Sequence, residues 1–371
     1  MKILYVSNGS NFSGAGGMEY HLIDITDRLE KKGVEIALAV RKGTFFEKNL
    51  LRGKRNVYPL PWTGFAKPFA FLQAGKLIRD FSPDIISINR EQDIARIYTI
   101  ARIASLFRKN RPKMVSVFHN LGWRGDFDLR KLDGLIFPND YIKRDYVKAN
   151  HVPEDRSEII YHGIDLPCVD PAVKSSRVRE RKYFKGLGYP IIGMVGEFRK
   201  NQSELVDVAH HLKKRNVDFT MAFVGRETEE QVRPVREKID RMGLSKNFIF
   251  TGMVDRNRMP DVFHDLDISV TTHRSEPFGM VFIESIASCT PMVAYNSGGP
   301  VEVLGKGGGI LVDGGPEEMA GELYKVITDD DLRRSLALAG RMAAERHFSI
   351  EAMGERHYRF YRRVLGAGCG Q

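Results

Sequence analysis

The sequence predicts an α/β protein built from two doubly wound, parallel-sheet domains, and three observations predict it. The chain has 371 residues, more than one hydrophobic core usually organises, so two domains of about 150 to 200 residues are the starting expectation. Short β-branched apolar runs alternate with helical patterns along its whole length, which is how parallel sheets covered on both faces read in sequence. Leu166 to Pro190 has prolines near its ends, a basic middle and no strand pattern, and it separates two sets of such runs. The hinge is expected there.

Taken in order, "KILYVS" (Lys2 to Ser7) is a strand, and "MEYHLIDITDRLEKKG" is a helix in which Leu22, Ile25 and Leu29 share a face and Gly33 supplies the stop. "VEIALAV" restarts a strand. Further strands of the first half are expected at Asp84 to Asn89, Met114 to Phe118, Leu135 to Pro138 and Glu158 to Tyr161. In the second half they fall at Ile191 to Gly196, Phe219 to Gly225, Phe248 to Gly252, Asp267 to Thr272, Met292 to Tyr295 and Gly309 to Val312. Ser349 to Gly366 closes the chain as a helix rich in arginine and aromatics. The expected division is residues 1–168, residues 169–348, and a C-terminal helix over 349–371 that returns across the junction.

Composition is that of an ordinary soluble protein, 42% hydrophobic and 28% charged. The opening apolar run is too short for a signal peptide, and no run reaches the roughly 18 uncharged apolar residues of a membrane span. The expected location is the cytoplasm. Cys168, Cys289 and Cys369 are far apart, which argues against a disulfide framework or a structural zinc. A formal net charge of +10 leaves nucleic acid, an acidic membrane surface and phosphorylated small molecules open as partners.

In open sheets of this kind ligands sit beyond the carboxyl ends of the strands. After the strand Asp267 to Thr272, the loop "HRSEPFG" leads into a helix near Gly279, whose free N–H groups and positive dipole end suit a phosphate. Glu284 stands in the second turn among Val281, Phe282, Ile283, Ile286 and Ala287. An unpaired buried carboxylate costs several kcal/mol, roughly, so it needs donors. Those are either a structural partner or the paired hydroxyls of a ribose. Glu276 stands beside the same helix start.

Glu276 and Glu284, the "EPFG" before the helix, the "TPMVAY" after it and the following "GGPVE" closely resemble the donor-site motif of retaining glycosyltransferases of family 4 (glycosyl transferases group 1), which have the GT-B fold. The resemblance runs through "GGME" after the first strand, "YHGID" (Tyr161 to Asp165), "GEFRKNQ" (Gly196 to Gln202) and "FTGMV" (Phe250 to Val254). It implies two Rossmann-like domains facing each other across a cleft, the first for the acceptor and the second for the nucleotide sugar. It further implies that Lys200 neutralises the donor diphosphate, that Glu284 holds the ribose, and that Glu276 meets the transferred sugar. The sugar and phosphate cradle falls on Phe278, Gly279 and Met280, with Val254 and Val281 completing the donor set. The resemblance also implies that His119, after the strand Met114 to Phe118, faces the sugar as a catalytic residue beside Lys200 and Glu276; on chemistry alone a lone histidine at a strand end is as often structural. Glu197 stands where many members have an arginine, and Arg199 is the substitute second cation.

"SGAGGME" (Ser13 to Glu19) lacks the third glycine of G-x-G-x-x-G, so a nicotinamide cofactor is not expected. By the resemblance, Gly16 and Gly17 line the cleft. The pairs Asp126/Asp128 and Asp265/Asp267 have the letters of a metal motif; the second precedes a strand, on the side away from ligands, and the first has no identifiable partner. No metal and no cofactor are expected, with a UDP-sugar as donor substrate.

The acceptor is read as a saccharide or glycolipid of the cell envelope, such as lipopolysaccharide. Arg41 to Trp62, with exposed-looking Phe45, Phe46, Leu50, Leu51 and Trp62, and the basic amphipathic Arg96 to Lys113 fit peripheral contact with the inner face of an anionic membrane. Core packing with a solvated basic rim is the alternative. A nucleotide-sugar epimerase, a glycogen-type phosphorylase and a non-catalytic basic module are the competing classes. Cations are spread along the chain without a stacking or helix-turn-helix signal, so nucleic acid is not expected.

Overall fold

The computed structural model describes residues 1–8, 17–44, 47–48, 56–62, 67–106, 110–122, 125–149, 152–171, 174, 176–177 and 179–366. The chain divides into two compact units, Met1–Gly163 with Ile350–Gln371, and Ile164–Ser349.

The first unit is a seven-stranded sheet of β1 (Lys2–Ser7), β2 (Glu35–Arg41), β3 (Val57–Leu60), β4 (Ile85–Ile88), β5 (Lys113–Val117), β6 (Gly134–Phe137) and β7 (Ser157–Ile159). The order is β3-β2-β1-β4-β5-β6-β7, and every pairing is parallel. β3 is missing from the sequence reading because Pro59 interrupts its pattern. It is tolerated since β3 is the edge strand, where a missing N–H breaks no interior ladder. Helix α1 (Gly17–Glu30) buries Leu22, Ile25 and Leu29 against the sheet, while α2 (Lys67–Phe81) and α3 (Ile94–Ala104) pack against one another.

The second unit has six parallel strands, β8 (Ile191–Val195), β9 (Thr220–Val224), β10 (Phe248–Phe250), β11 (Ile268–Thr271), β12 (Met292–Tyr295) and β13 (Gly309–Val312), in the order β10-β9-β8-β11-β12-β13. Strand order reverses direction at β8. The carboxyl ends of β8 and β11 therefore flank the switch point, the place where such sheets open a crevice for ligands. Helix α4 (Met280–Ala287) follows β11.

The first boundary falls a few residues before the expected one, because Ile164 already pairs with the second unit: its N–H donates to Phe348 O at 2.9 Å. The expected hinge segment is also corrected. Lys174 is buried and donates to the carbonyls of Phe263, His264 and Leu266. Arg179 and Arg181 are buried and pair with Asp267 at 2.7 and 2.9 Å, and Asp265 accepts the N–H groups of Lys182, Tyr183 and Phe184. The basic middle of the expected hinge is a buried fastening of the second unit, since each of these three cations has an acceptor that only the fold supplies. The same contacts engage both Asp265 and Asp267.

The closing helix α5 (Ile350–Val364) belongs to the first unit and packs on α1. Arg28 pairs with Glu351 at 3.1 Å and Lys32 with Glu355 at 2.6 Å, while the Tyr361 hydroxyl lies 2.9 Å from that of Tyr5 in the core. Among the described residues no helix is long and apolar enough to cross a membrane.

Candidate active site

Two loops of the second unit meet at the switch point. The first leaves β8 through Gly196, at φ 145°, where a Cβ would lie 3.3 Å from Lys200 Cδ. It ends at Asn201, held in the left-handed region at φ 64°, before the helix Gln202–Lys213. Thr272, just past β11, donates its hydroxyl to Asn201 O at 2.7 Å, tying this loop to the second one. Across that tie Lys200 Nζ stands 2.6 Å from Glu276 Oε2. Both side chains are largely covered, at 25% and 14% exposed. An ion pair so placed is screened less than a surface pair and holds both heads at fixed positions.

Glu276 is held from several sides. Its carbonyl accepts the Gly299 N–H at 2.8 Å. A Cβ on Gly298 would lie 2.8 Å from that carbonyl, and one on Gly299 only 2.2 Å from Pro277 O. The "GGP" run is thus explained by close backbone approach. Arg274 lies over the Tyr295 ring, 3.4 Å from its centre, and reaches Glu204 at 3.2 Å and Gly314 O at 3.1 Å. The Tyr295 hydroxyl donates to the same Glu204 carboxylate at 2.6 Å. Arg274 and Tyr295 lie within the stretches "HRSEPFG" and "TPMVAY" but had no role of their own there, and Glu204 is 70 positions from Arg274. Sequence reasoning missed them for that reason.

Gly279 begins α4 at φ 86°. A Cβ there would meet Phe282 Cδ2 at 2.3 Å and Glu276 Cγ at 3.1 Å, so glycine lets Glu276 lie directly over the helix start. The first N–H groups of α4 lack intrahelical acceptors and carry the positive end of its dipole. Glu284 sits in the second turn. Its enclosure is partial: Phe282, Ile283 and Ile286 are buried, Glu284 is half-buried, and its carboxylate makes no hydrogen bond or ion pair with a described residue. Burial pushes its pKa up, with the charge of Arg256 opposing.

The other expected donor residues are placed unequally. Phe278 is buried, edge-on to Phe348 at 6.5 Å, so its backbone alone is available to a ligand. Met280 is half-buried, and Val254 and Val281 border one apolar cluster with Val262 and Phe263. Arg199 is not brought to the pair: it is 70% exposed and bonds to Glu197. Gly17 is the first residue of α1, whereas Gly16 lies outside the described residues.

His119, in the first unit, follows β5 and is buried. Its Nε2 lies 3.0 Å from Asn89 Oδ1, its N–H donates to Glu91 at 2.8 Å, and Nδ1 is buried without a partner among the described residues. The ring stacks on His162 at 5.4 Å and meets His21 edge-on at 5.3 Å. His21 Nδ1 lies 3.0 Å from His162 Nδ1, and His357 lies 5.6 Å from His21. Burial pushes His119 down to about 3 and His357 to about 4. It also lowers His21 and His162 well below the usual range.

The expected membrane segments divide. Trp62 is buried in the first core, a correction to its exposed-looking setting: it belongs to the apolar cluster that includes Leu60, Ala70 and Ala74, and meets Phe71 edge-on at 6.2 Å. Phe45, Phe46, Leu50 and Leu51 lie outside the described residues. Of the basic amphipathic segment, Ile97 and Ile100 are buried, while Ile103 and Leu106 stay exposed.

Comparison with known proteins sets the class. Residues 176–342 match Glycosyl transferases group 1 and residues 15–167 match Glycosyltransferase Family 4. The chain is a glycosyltransferase of the GT-B fold. It is 25% identical to the D-inositol 3-phosphate glycosyltransferase of Corynebacterium jeikeium, over 95% of this chain and 93% of that one. Among solved structures, a glycosyltransferase from Rickettsia africae superposes with a TM-score of 0.81 at 21% identity, covering 98% of both chains. Anabaena Alr3699/HepE, solved with UDP and glucose, gives 0.75 at 19% identity, over 96% of this chain and 98% of that one.

Proposed function

We propose that the chain transfers a sugar from a nucleoside-diphosphate sugar to an acceptor hydroxyl with retention of configuration, a UDP-sugar being the first donor to try. The observation that carries this reading is the Lys200–Glu276 pair at the switch point, directly before the amino end of α4. A diphosphate at that end meets the helix N–H groups and the Lys200 cation, and the sugar beyond it meets Glu276. Cleavage of the sugar–phosphate bond gathers negative charge on the diphosphate, and these fixed donors favour the transition state over the ground state. If the acceptor attacks from the leaving-group face, the departing phosphate oxygen takes its proton and no side-chain base is needed. Glu284, partly covered and with no hydrogen bond or ion pair among the described residues, takes the ribose hydroxyls. Lys200 and the first N–H groups of α4 serve the leaving group in this reading, with no metal and no cofactor.

The acceptor is proposed to be a saccharide or glycolipid of the cell envelope. The solved neighbour with UDP and glucose supports the donor class. Thermal stabilisation by uridine, guanosine and adenosine diphosphates and their sugars tests it, because a ligand of the native state raises the melting point by mass action. No response to any of them sinks the reading. Conversion of the donor in the absence of acceptor would point to an epimerase instead, and the anomeric configuration of the product decides retention.

A further inference from the structure

The loops after β8, β9 and β10 are laced into one rim at the carboxyl ends of the second sheet. Phe198 N–H donates to Arg226 O at 2.9 Å, and Gly225 N–H donates to Gly252 O at 3.0 Å. A Cβ on Gly225 would overlap Gly196 O, so glycine alone lets the loop after β9 come this close to the one that carries Lys200. Val254, two residues past Gly252, borders the same apolar cluster as Val281 in the first turn of α4. The charge of Arg256, just beyond, acts on Glu284. A nucleotide with its diphosphate at the start of α4 and its ribose on Glu284 therefore lays its base over the ends of β9 and β10.

Glu227 stands on that rim, between Gly225 and the helix Glu229–Arg241. The residue is half-buried, yet its Oε2 is buried and has no hydrogen-bond partner among the described residues. Arg236, whose charge acts on Glu227, lies over the Phe250 ring, 4.2 Å from its centre, and makes no hydrogen bond to the carboxylate. An acceptor withdrawn from water and left bare is unfavourable until a ligand supplies the donor. Nucleobases differ in what they offer it. Uracil and guanine are lactams, each with a ring N–H beside a carbonyl, and guanine adds an amino group next to that N–H. In cytosine and adenine the corresponding ring nitrogen is itself an acceptor, whose lone pair repels a carboxylate.

We propose that Glu227 reads the base of the donor by accepting the lactam N–H of uracil or guanine, and so rejects cytidine and adenosine diphosphates. The assignment rests on the nucleotide-sugar reading above and names the base edge that the site selects. Buried polar groups discriminate strongly in this way, because the wrong ligand leaves them unpaired.

Titration calorimetry of the full chain with UDP, CDP, GDP and ADP tests this, since UDP and CDP, like GDP and ADP, differ at that edge of the base. The unaltered chain is expected to favour UDP over CDP, or GDP over ADP, by about 10- to 100-fold, the value of a hydrogen bond to a charged group. The pair that shows the preference tells uracil from guanine. Glu227→Ala should weaken the favoured nucleotide to the level of its counterpart, with the melting point of the ligand-free chain unchanged. Glu227→Gln keeps an oxygen acceptor of the same reach and should restore part of the preference. Tighter binding of CDP or ADP, or a preference that persists in Glu227→Ala, overturns the assignment and leaves nucleotide binding at the switch point standing. Failure of all four to bind removes the donor reading itself, and this assignment with it.

Discussion

Lys200 and Glu276, 76 positions apart in the chain, are bonded at 2.6 Å, and this contact joins the loop after β8 to the loop before α4 across the switch point of the second sheet. Each was expected to serve a different part of the donor. The structure makes them a unit, so removing either also frees the other.

Lys200→Ala is expected to lower turnover by about a hundredfold or more, the range for loss of one preorganised donor. The nucleotide should still raise the melting point, through α4 and Glu284. Near-normal kcat with a saturating donor would refute the diphosphate assignment.

Glu276→Gln keeps the shape and removes the charge. It should raise KM for the nucleotide sugar and lower kcat while leaving affinity for the free nucleoside diphosphate close to normal. Titration calorimetry with the two ligands separates these outcomes, and an equal loss for both would move Glu276 to the nucleotide half.

Glu284→Ala should act in the opposite sense, weakening free nucleotide and nucleotide sugar alike by roughly 10- to 100-fold, the value of hydrogen bonds to a charged group. Unchanged nucleotide affinity would make Glu284 a bystander of the apolar helix.

Gly279→Ala introduces a Cβ at φ 86° that meets Phe282 Cδ2 at 2.3 Å. Strain of about 1 to 3 kcal/mol is expected, read as a lower melting point, with activity falling further because Glu276 Cγ lies at 3.1 Å from the same Cβ. Full activity at a normal melting point would show that the helix start has slack.

The histidine group predicts an acid limit for the first unit. His21, His119, His162 and His357 all have folded pKa values below the ordinary 6.5. Above pH 6.5 they are neutral in both states and cost nothing. Below it the unfolded chain takes up protons that the folded unit refuses, so stability falls as pH drops from 6.5 toward about 4. The slope reaches about 1.4 kcal/mol per pH unit for each group. Amide exchange in α1 and α5 should quicken over that window, and His357→Phe should reduce the slope. Protection that stays level down to pH 5 would rule this out.

Much of the fold was legible because β-branched runs and helical periodicity are local signals. β8, β9, β11 and β12 each appear where apolar runs end in glycine or a polar loop, and Leu22, Ile25 and Leu29 mark the buried face of α1. β3 was hidden by Pro59, whose cost vanishes only at a sheet edge, and the edge is a property of the whole sheet. Glu276, Gly279 and Glu284 were legible through spacing around one helix start. Arg274, Glu204 and Tyr295 were not, since their meeting depends on which strands lie side by side.

By itself the sequence determined the two doubly wound units and the loops that carry charge at their strand ends, because strand and helix periods and glycine positions are written within a few residues. Tertiary structure alone decided who pairs with whom. It set Lys200 against Glu276, turned Arg199 outward to Glu197, and buried Arg179 and Arg181 on Asp267. A charge finds its partner through strand order, and the order of parallel strands is fixed by crossovers that no short stretch of residues contains.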